Sequence, residues 1–159
     1  MPQAVLFDLD DTIIAWDAVA DQSWKAVCSR MAAQNRGLDG DKLCFSIKEA
    51  RDWYLADPER HRWSRLNLEE YRREVSSLGL THLGVNIPGL DRQIGRAYGV
   101  EREAAAYVLP GAIDKLKGLR DNGVRLALVT NGSGDVQRRK IERFQLGRFH
   151  TEVKKYWPT

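Results

Sequence analysis

The stretch Ala4-Val5-Leu6-Phe7-Asp8-Leu9-Asp10-Asp11-Thr12 decides how this chain is read. An apolar run this short, bounded by polar residues, fits a parallel strand covered on both faces. Alternate residues of an extended chain point to the same side, so Asp8 and Asp10 share a face. They stand where the strand gives way to its loop, the place where open α/β sheets bind ligands. Two like charges this close are costly in a protein unless a cation or a reaction offsets them. That marks Asp8 and Asp10 as candidate functional residues. Asp11 and Thr12 read equally well as local capping groups.

Working outward, a second apolar run, Val124 to Val129, follows the turn signal Asp121-Asn122-Gly123. Pro110-Gly111 opens a helix ahead of that turn, with Ile113, Leu116 and Leu119 at helical spacing. A further helix is expected over Asp135 to Leu146, closed by Gly147. Strand, helix and strand in alternation indicate a parallel α/β sheet, a Rossmann-like core. Between the two strands the periodicity is helical throughout. Trp16, Val19, Ala20, Trp24, Val27, Cys28 and Met31 form one face of a long helix ending near Gly37. Leu43, Ile47, Ala50 and Tyr54 mark a second helix stopped by Pro58. Asn67 with Glu70 reads as a capping box opening a third. Pro88 to Tyr107 gives a fourth, interrupted by Gly95 and Gly99. The expected organisation is a core of residues 1–15 and 106–159 with a helical insert over 16–105.

The motif Phe7-Asp8-Leu9-Asp10-Asp11-Thr12, followed by Leu126-Ala127-Leu128-Val129-Thr130-Asn131-Gly132, resembles the haloacid dehalogenase superfamily. Its first motif is Asp-x-Asp-x-Thr, and its second is an apolar strand ending in Thr or Ser. The insert resembles that family's helical cap in outline. The resemblance implies that Asp8 is a nucleophile forming an aspartyl-phosphate. It implies that Asp10 is the general acid, then base, of the two half-reactions. Thr130, with the amides of Asn131 and Gly132, would bind the phosphoryl group near a helix N-terminus. Mg²⁺ would sit on the Asp8 carboxylate and the Asp10 carbonyl. Dehalogenases of the superfamily lack an acid at the second position, because a leaving halide needs no proton. An alkoxide does, so Asp10 favours a phosphatase.

The family also carries a lysine, usually before proline, and a distal acidic pair. After Leu146 the chain continues Gly147-Arg148-Phe149-His150-Thr151-Glu152-Val153-Lys154-Lys155-Tyr156-Trp157-Pro158-Thr159. That segment reads as too charged for a buried central strand. Lys154 and Lys155 come early for the motif lysine, and no acidic pair follows. The expectation is a core incomplete on its C-terminal side. Its Val124–Val129 strand would be left as an open edge that invites self-association. The rival reading is a catalytically impaired or partner-dependent fragment.

Composition agrees with an ordinary globular chain: 43% hydrophobic, 30% charged, net charge +3 over 159 residues. Such a balance suits a small phosphorylated metabolite and gives no reason to expect nucleic acid. No apolar run approaches the roughly 20 residues that cross a bilayer, and no secretory signal is visible. A cytoplasmic protein without a membrane partner is expected. Cys28 and Cys44 read as free thiols. His61, His82 and His150 lack metal-ligand spacing. The arginines Arg51, Arg60, Arg62, Arg65, Arg72 and Arg73 read as a solvated, acid-diluted helix surface or as an anion-attracting cap face.

Overall fold

The computed structural model describes residues 2–132, 134–149 and 152–155, the last four by their backbone alone. The chain forms two compact units, Met1–Ala18 with Ala106–Thr159 and Val19–Ala105.

In the first unit, β1 (Ala4–Phe7) runs parallel to β4 (Arg125–Thr130), with Phe7 opposite Leu128. On its other side β4 pairs in parallel with β5 (Glu152–Lys155), with Thr130 opposite Lys155. The sheet order is β1-β4-β5. This corrects two expectations. The charged segment after Thr151 is a strand, because ladder hydrogen bonds come from the backbone and an edge position tolerates charge. The Val124–Val129 run is therefore the centre of the sheet, and its expected open edge is absent. β1 is also not covered on both faces: Val5 and Phe7 pack against the core, while Ala4 and Leu6 are exposed.

Beyond β1 the chain turns sharply. The amides of Ile13 and Ile14 both donate to the Leu9 carbonyl, each at 3.0 Å, and Asp11 sits at a φ of 56°. The Asp11 carboxylate accepts from the amides of Trp16 and Asp17, each at 3.0 Å, and so caps the short 3₁₀ turn Asp17–Val19. β2 (Ile14–Ala15) and β3 (Tyr107–Val108) pair antiparallel, joining the points where the chain leaves and re-enters this unit. Trp16, expected in the insert's first helix, is buried in this unit with Ile13, Ile14, Leu116, Leu128 and Ile141. Helix α6 (Ala112–Asp121) begins after Gly111, whose φ is 77°. Helix α7 (Gly134–Arg143) ends earlier than expected. Gln145 takes a left-handed φ of 53°, and a 3₁₀ turn over Leu146–Phe149 buries Leu146 and Phe149. Gly147 lies inside that turn and closes nothing.

The second unit holds five helices rather than four: α1 (Ala20–Gln34), α2 (Gly40–Ala56), α3 (Pro58–Leu66), α4 (Leu68–His82) and α5 (Leu90–Ala105). Pro58 both follows α2 and starts α3. Its missing N–H costs nothing in a first turn, and the Asp57 carboxylate accepts from the Arg60 amide at 2.8 Å. Asn67 makes no side-chain cap; its Nδ2 donates instead to the Trp63 carbonyl of α3. α5 tolerates Gly95 because a Cβ there would stand 3.0 Å from the Arg73 amide, so glycine lets α4 and α5 approach closely. Trp24, Val27, Leu43, Ile47, Val75, Leu90 and Ile94 form the core, with Trp24 stacked on Tyr98 at 3.6 Å. Cys28 and Cys44 are free, and burial pushes the Cys28 thiol up to about 12. Arg51 and Arg73 of the expected basic surface pair with Asp21 and Asp91. Among the described residues no helix is long and apolar enough to cross a membrane.

Candidate active site

Asp8 follows β1 directly, and Thr130 ends β4, so both stand at the carboxyl edge of neighbouring parallel strands. The hydrophobic register puts them there: Leu126 and Leu128 are buried in the core, and Thr130, two residues on, shares their face and is itself buried. Asp8 is exposed. One of its carboxylate oxygens accepts from the Leu9 amide at 2.8 Å, which orients the side chain without covering it.

Asp10 is half-buried, and both of its oxygens accept hydrogen bonds from α7. Lys140 Nζ donates to Oδ1 at 2.7 Å, and Gln137 Nε2 donates to Oδ2 at 2.9 Å. The same Gln137 Nε2 donates to Thr130 Oγ1, also at 2.9 Å. The Gly132 amide makes a longer bond of 3.4 Å to that hydroxyl oxygen. Lys140 and Gln137 are only 5% and 3% exposed. The Lys140 ammonium also lies 3.3 Å from the centre of the Trp16 ring, a cation–π contact. Burying a lysine is unfavourable unless its charge is matched, and Asp10 and the indole face supply the match.

Of the expected site residues, Asp10, Thr130 and Gly132 are thus tied together around one amide. Asp8 lies on the same strand end without a side-chain bond to them among the described residues. Asn131 is an exposed loop residue next to Thr130. The side chains of Lys154 and Lys155 lie outside the described residues, as does His150. Gln137 and Lys140 escaped the motif reading. Their signal was present as a pattern: with Ile141 and Phe144 they lie on one helical stripe, so two polar residues occupy a face that the helix buries.

The donor set can be weighed against Mg²⁺. A hard cation that keeps several waters needs only one or two protein oxygens beside its substrate. The exposed Asp8 carboxylate would be one such ligand, and the Asp10 carbonyl two residues on would be the second. Among the described residues no group of three acidic, histidine or cysteine side chains could hold a metal. A cavity of about 510 Å³ is lined by Phe7, Thr12, Ile13, Leu109, Pro110 and Leu116. Lys115 also lines it, and neither Asp8 nor Asp10 does.

The chain is similar to several known proteins. A family model for haloacid dehalogenase-like hydrolases matches residues 2–157. The chain is 29% identical over 155 residues to a ribulose-1,5-bisphosphate 5-phosphatase of Halopiger xanaduensis, covering 92% of this chain and 59% of that protein. It is 29% identical over 152 residues to phosphoglycolate phosphatase 1 of Pseudomonas aeruginosa, covering 94% of this chain and 48% of that protein. The chain therefore spans about half to three-fifths of the length of these curated relatives. Among solved structures, the magnesium-bound HAD hydrolase YfnB of Bacillus subtilis superposes with a TM-score of 0.62 at 20% identity, over 96% of this chain and 64% of that one. An L-2-haloacid dehalogenase of Xanthobacter autotrophicus superposes with a TM-score of 0.51 at 17% identity, over 98% of this chain and 57% of that one. These structural likenesses speak for the fold.

Proposed function

The chain belongs to the haloacid dehalogenase-like hydrolases, and from that premise we propose that it is a phosphomonoester hydrolase acting on a small phosphorylated metabolite. The observation that carries the reading is the join between Asp10 and Thr130 through one Gln137 amide, at the carboxyl edge of two adjacent parallel strands. A dehalogenase has no use for an acid at Asp10; an ester does.

In the first half-reaction an Asp8 oxygen attacks phosphorus, the bond from phosphorus to the alcohol oxygen breaks, and Asp10 gives that oxygen its proton. In the second, water attacks phosphorus, Asp10 takes the proton of the water, and the bond from phosphorus to Asp8 breaks. Thr130 and the Asn131 amide hold phosphoryl oxygens, and the Gly132 amide exchanges its long 3.4 Å bond to Thr130 for one to phosphate. Both Asp10 oxygens accept hydrogen bonds from α7 in this structure. That arrangement suits the second half, in which Asp10 receives a proton; in the first half its side chain has to turn one oxygen toward the leaving group. Mg²⁺, when bound, would lower the repulsion between Asp8 and a negatively charged ester. The helical unit Val19–Ala105 serves as the cap that selects the substrate.

A second reading is that turnover needs further ligands from a partner, and the exposure of Asp8 leaves room for them. One assay separates the two: hydrolysis of p-nitrophenyl phosphate by the purified chain with and without Mg²⁺, alongside binding of inorganic phosphate. Mg²⁺-dependent turnover supports the first reading. Phosphate binding without turnover supports the second. A chain that neither binds phosphate nor cleaves the ester would overturn both.

A further inference from the structure

A threonine hydroxyl has one proton to give and two lone pairs to fill. At Thr130 the lone pairs are met by Gln137 Nε2 at 2.9 Å and by the Gly132 amide at 3.4 Å. The orientation of the Gln137 amide is not a matter of choice. A carboxylate can only accept, so the end of the amide facing Asp10 has to be the NH₂ group. Its second hydrogen then goes to Thr130, which has to accept it. The cost of this arrangement is visible on the other end of the amide: among the described residues, Gln137 Oε1 is buried without a hydrogen-bond partner. Nothing about Gln137 alone would select that orientation. Asp10 imposes it.

Gly132 makes room for this arrangement. A Cβ there would stand 2.2 Å from Gln137 Nε2, so any other residue would displace the amide from between Asp10 and Thr130. Lys140, one helical turn along α7, holds the second Asp10 oxygen at 2.7 Å. It keeps the carboxylate turned so that its remaining oxygen meets Gln137.

We propose that Gln137 is a positioning residue for phosphate: by filling the acceptor capacity of Thr130, it leaves the hydroxyl proton to point at a phosphoryl oxygen. The proposal rests on the phosphatase reading and adds a residue to it. Asp10 is thereby coupled to phosphate binding through one amide, so the acid–base group and the phosphate donor are set together.

The test is a double-mutant cycle on inorganic phosphate binding, measured by titration calorimetry on the whole chain in Mg²⁺. Gln137→Met keeps the volume and removes both donors. It should raise the phosphate Kd about tenfold, the size expected for losing one oriented hydrogen bond to a charged group. Thr130→Ala should do the same. In the Thr130→Ala background, Gln137→Met should have no further effect, because the hydroxyl it orients is gone. Gln137→Glu should weaken binding at least as much as Gln137→Met. A carboxylate there accepts the hydroxyl proton and turns Thr130 away from phosphate. A structural role for Gln137 would instead lower affinity equally in both backgrounds. That result overturns the proposal, as does an unchanged Kd in a Gln137→Met chain with the wild-type circular dichroism spectrum. If the wild-type chain binds no phosphate, this inference fails, and the phosphatase reading fails with it only when the ester is not cleaved either. A failure confined to the variants leaves that reading standing.

Discussion

The two units bury polar side chains in opposite ways. In the helical unit the four buried serines each donate their hydroxyl to a backbone carbonyl. Ser23 donates to Val19, Ser46 to Gly79, Ser64 to His61 and Ser76 to Arg72. In the α/β unit the buried polar residues are Thr130, Gln137 and Lys140, and they are tied to each other and to Asp10. A serine hydroxyl needs only one backbone carbonyl and costs little to remove. A network of side chains from different elements has to be satisfied as a whole. Where a fold buries polarity that only other side chains can satisfy, the reason is to be sought in chemistry rather than in packing.

That contrast can be broken most severely at Asp8. Asp8→Asn should lower phosphate-ester hydrolysis by about 10³-fold or more, as loss of a nucleophile does elsewhere. Because Asp8 is exposed, the thermal melt should not move. Undiminished turnover in that variant would remove Asp8 from the mechanism.

In the helical unit the largest effect should come from packing. Trp24 is fully buried and stacked on Tyr98, so Trp24→Ala should cost about 3–5 kcal/mol in urea denaturation. A loss below 1 kcal/mol would mean that this core is looser than its contacts indicate.

An intermediate effect belongs to the network. Lys140→Met removes a buried charge-assisted bond and leaves one Asp10 oxygen without its partner. It should cost about 1.5–3 kcal/mol by the same denaturation measurement. The smallest belongs to a helical serine. Ser46→Ala loses one bond to the Gly79 carbonyl and should cost about 1 kcal/mol. If Ser46→Ala proved as costly as Lys140→Met, the distinction between the two kinds of buried polarity would not hold.

What could be read from the sequence follows the same division. The positions of Asp8, Asp10 and Thr130 at the strand ends were legible because strand ends and apolar runs are local signals. The pairing of β1 with β4 follows from two short apolar runs, the second preceded by a helix. Gln137 and Lys140 were not legible as site residues, since their partner Asp10 lies 127 and 130 positions away. Only the parallel register and the direction of α7 bring them together. β5 hid behind its charge, because an edge strand draws its hydrogen bonds from the backbone whatever its side chains are. α3 hid behind Pro58, which reads as a stop when the preceding Asp57 is not recognised as a cap. The spacing of Trp16 from Val19 and Ala20 mimics helical periodicity, although Trp16 lies outside the helix. The Asp11 carboxylate takes up its amide instead, and the indole goes into the α/β core.

The placement of that indole has an optical consequence. An ammonium group 3.3 Å from the ring centre imposes a strong local field on the excited state of Trp16. Any event that loosens Lys140 from Asp10 alters that field, and with it the emission colour and brightness of the ring. In a chain with its other tryptophans replaced by phenylalanine, Trp16 would serve as a built-in fluorophore at the Asp10 site, reporting occupancy in real time without any label.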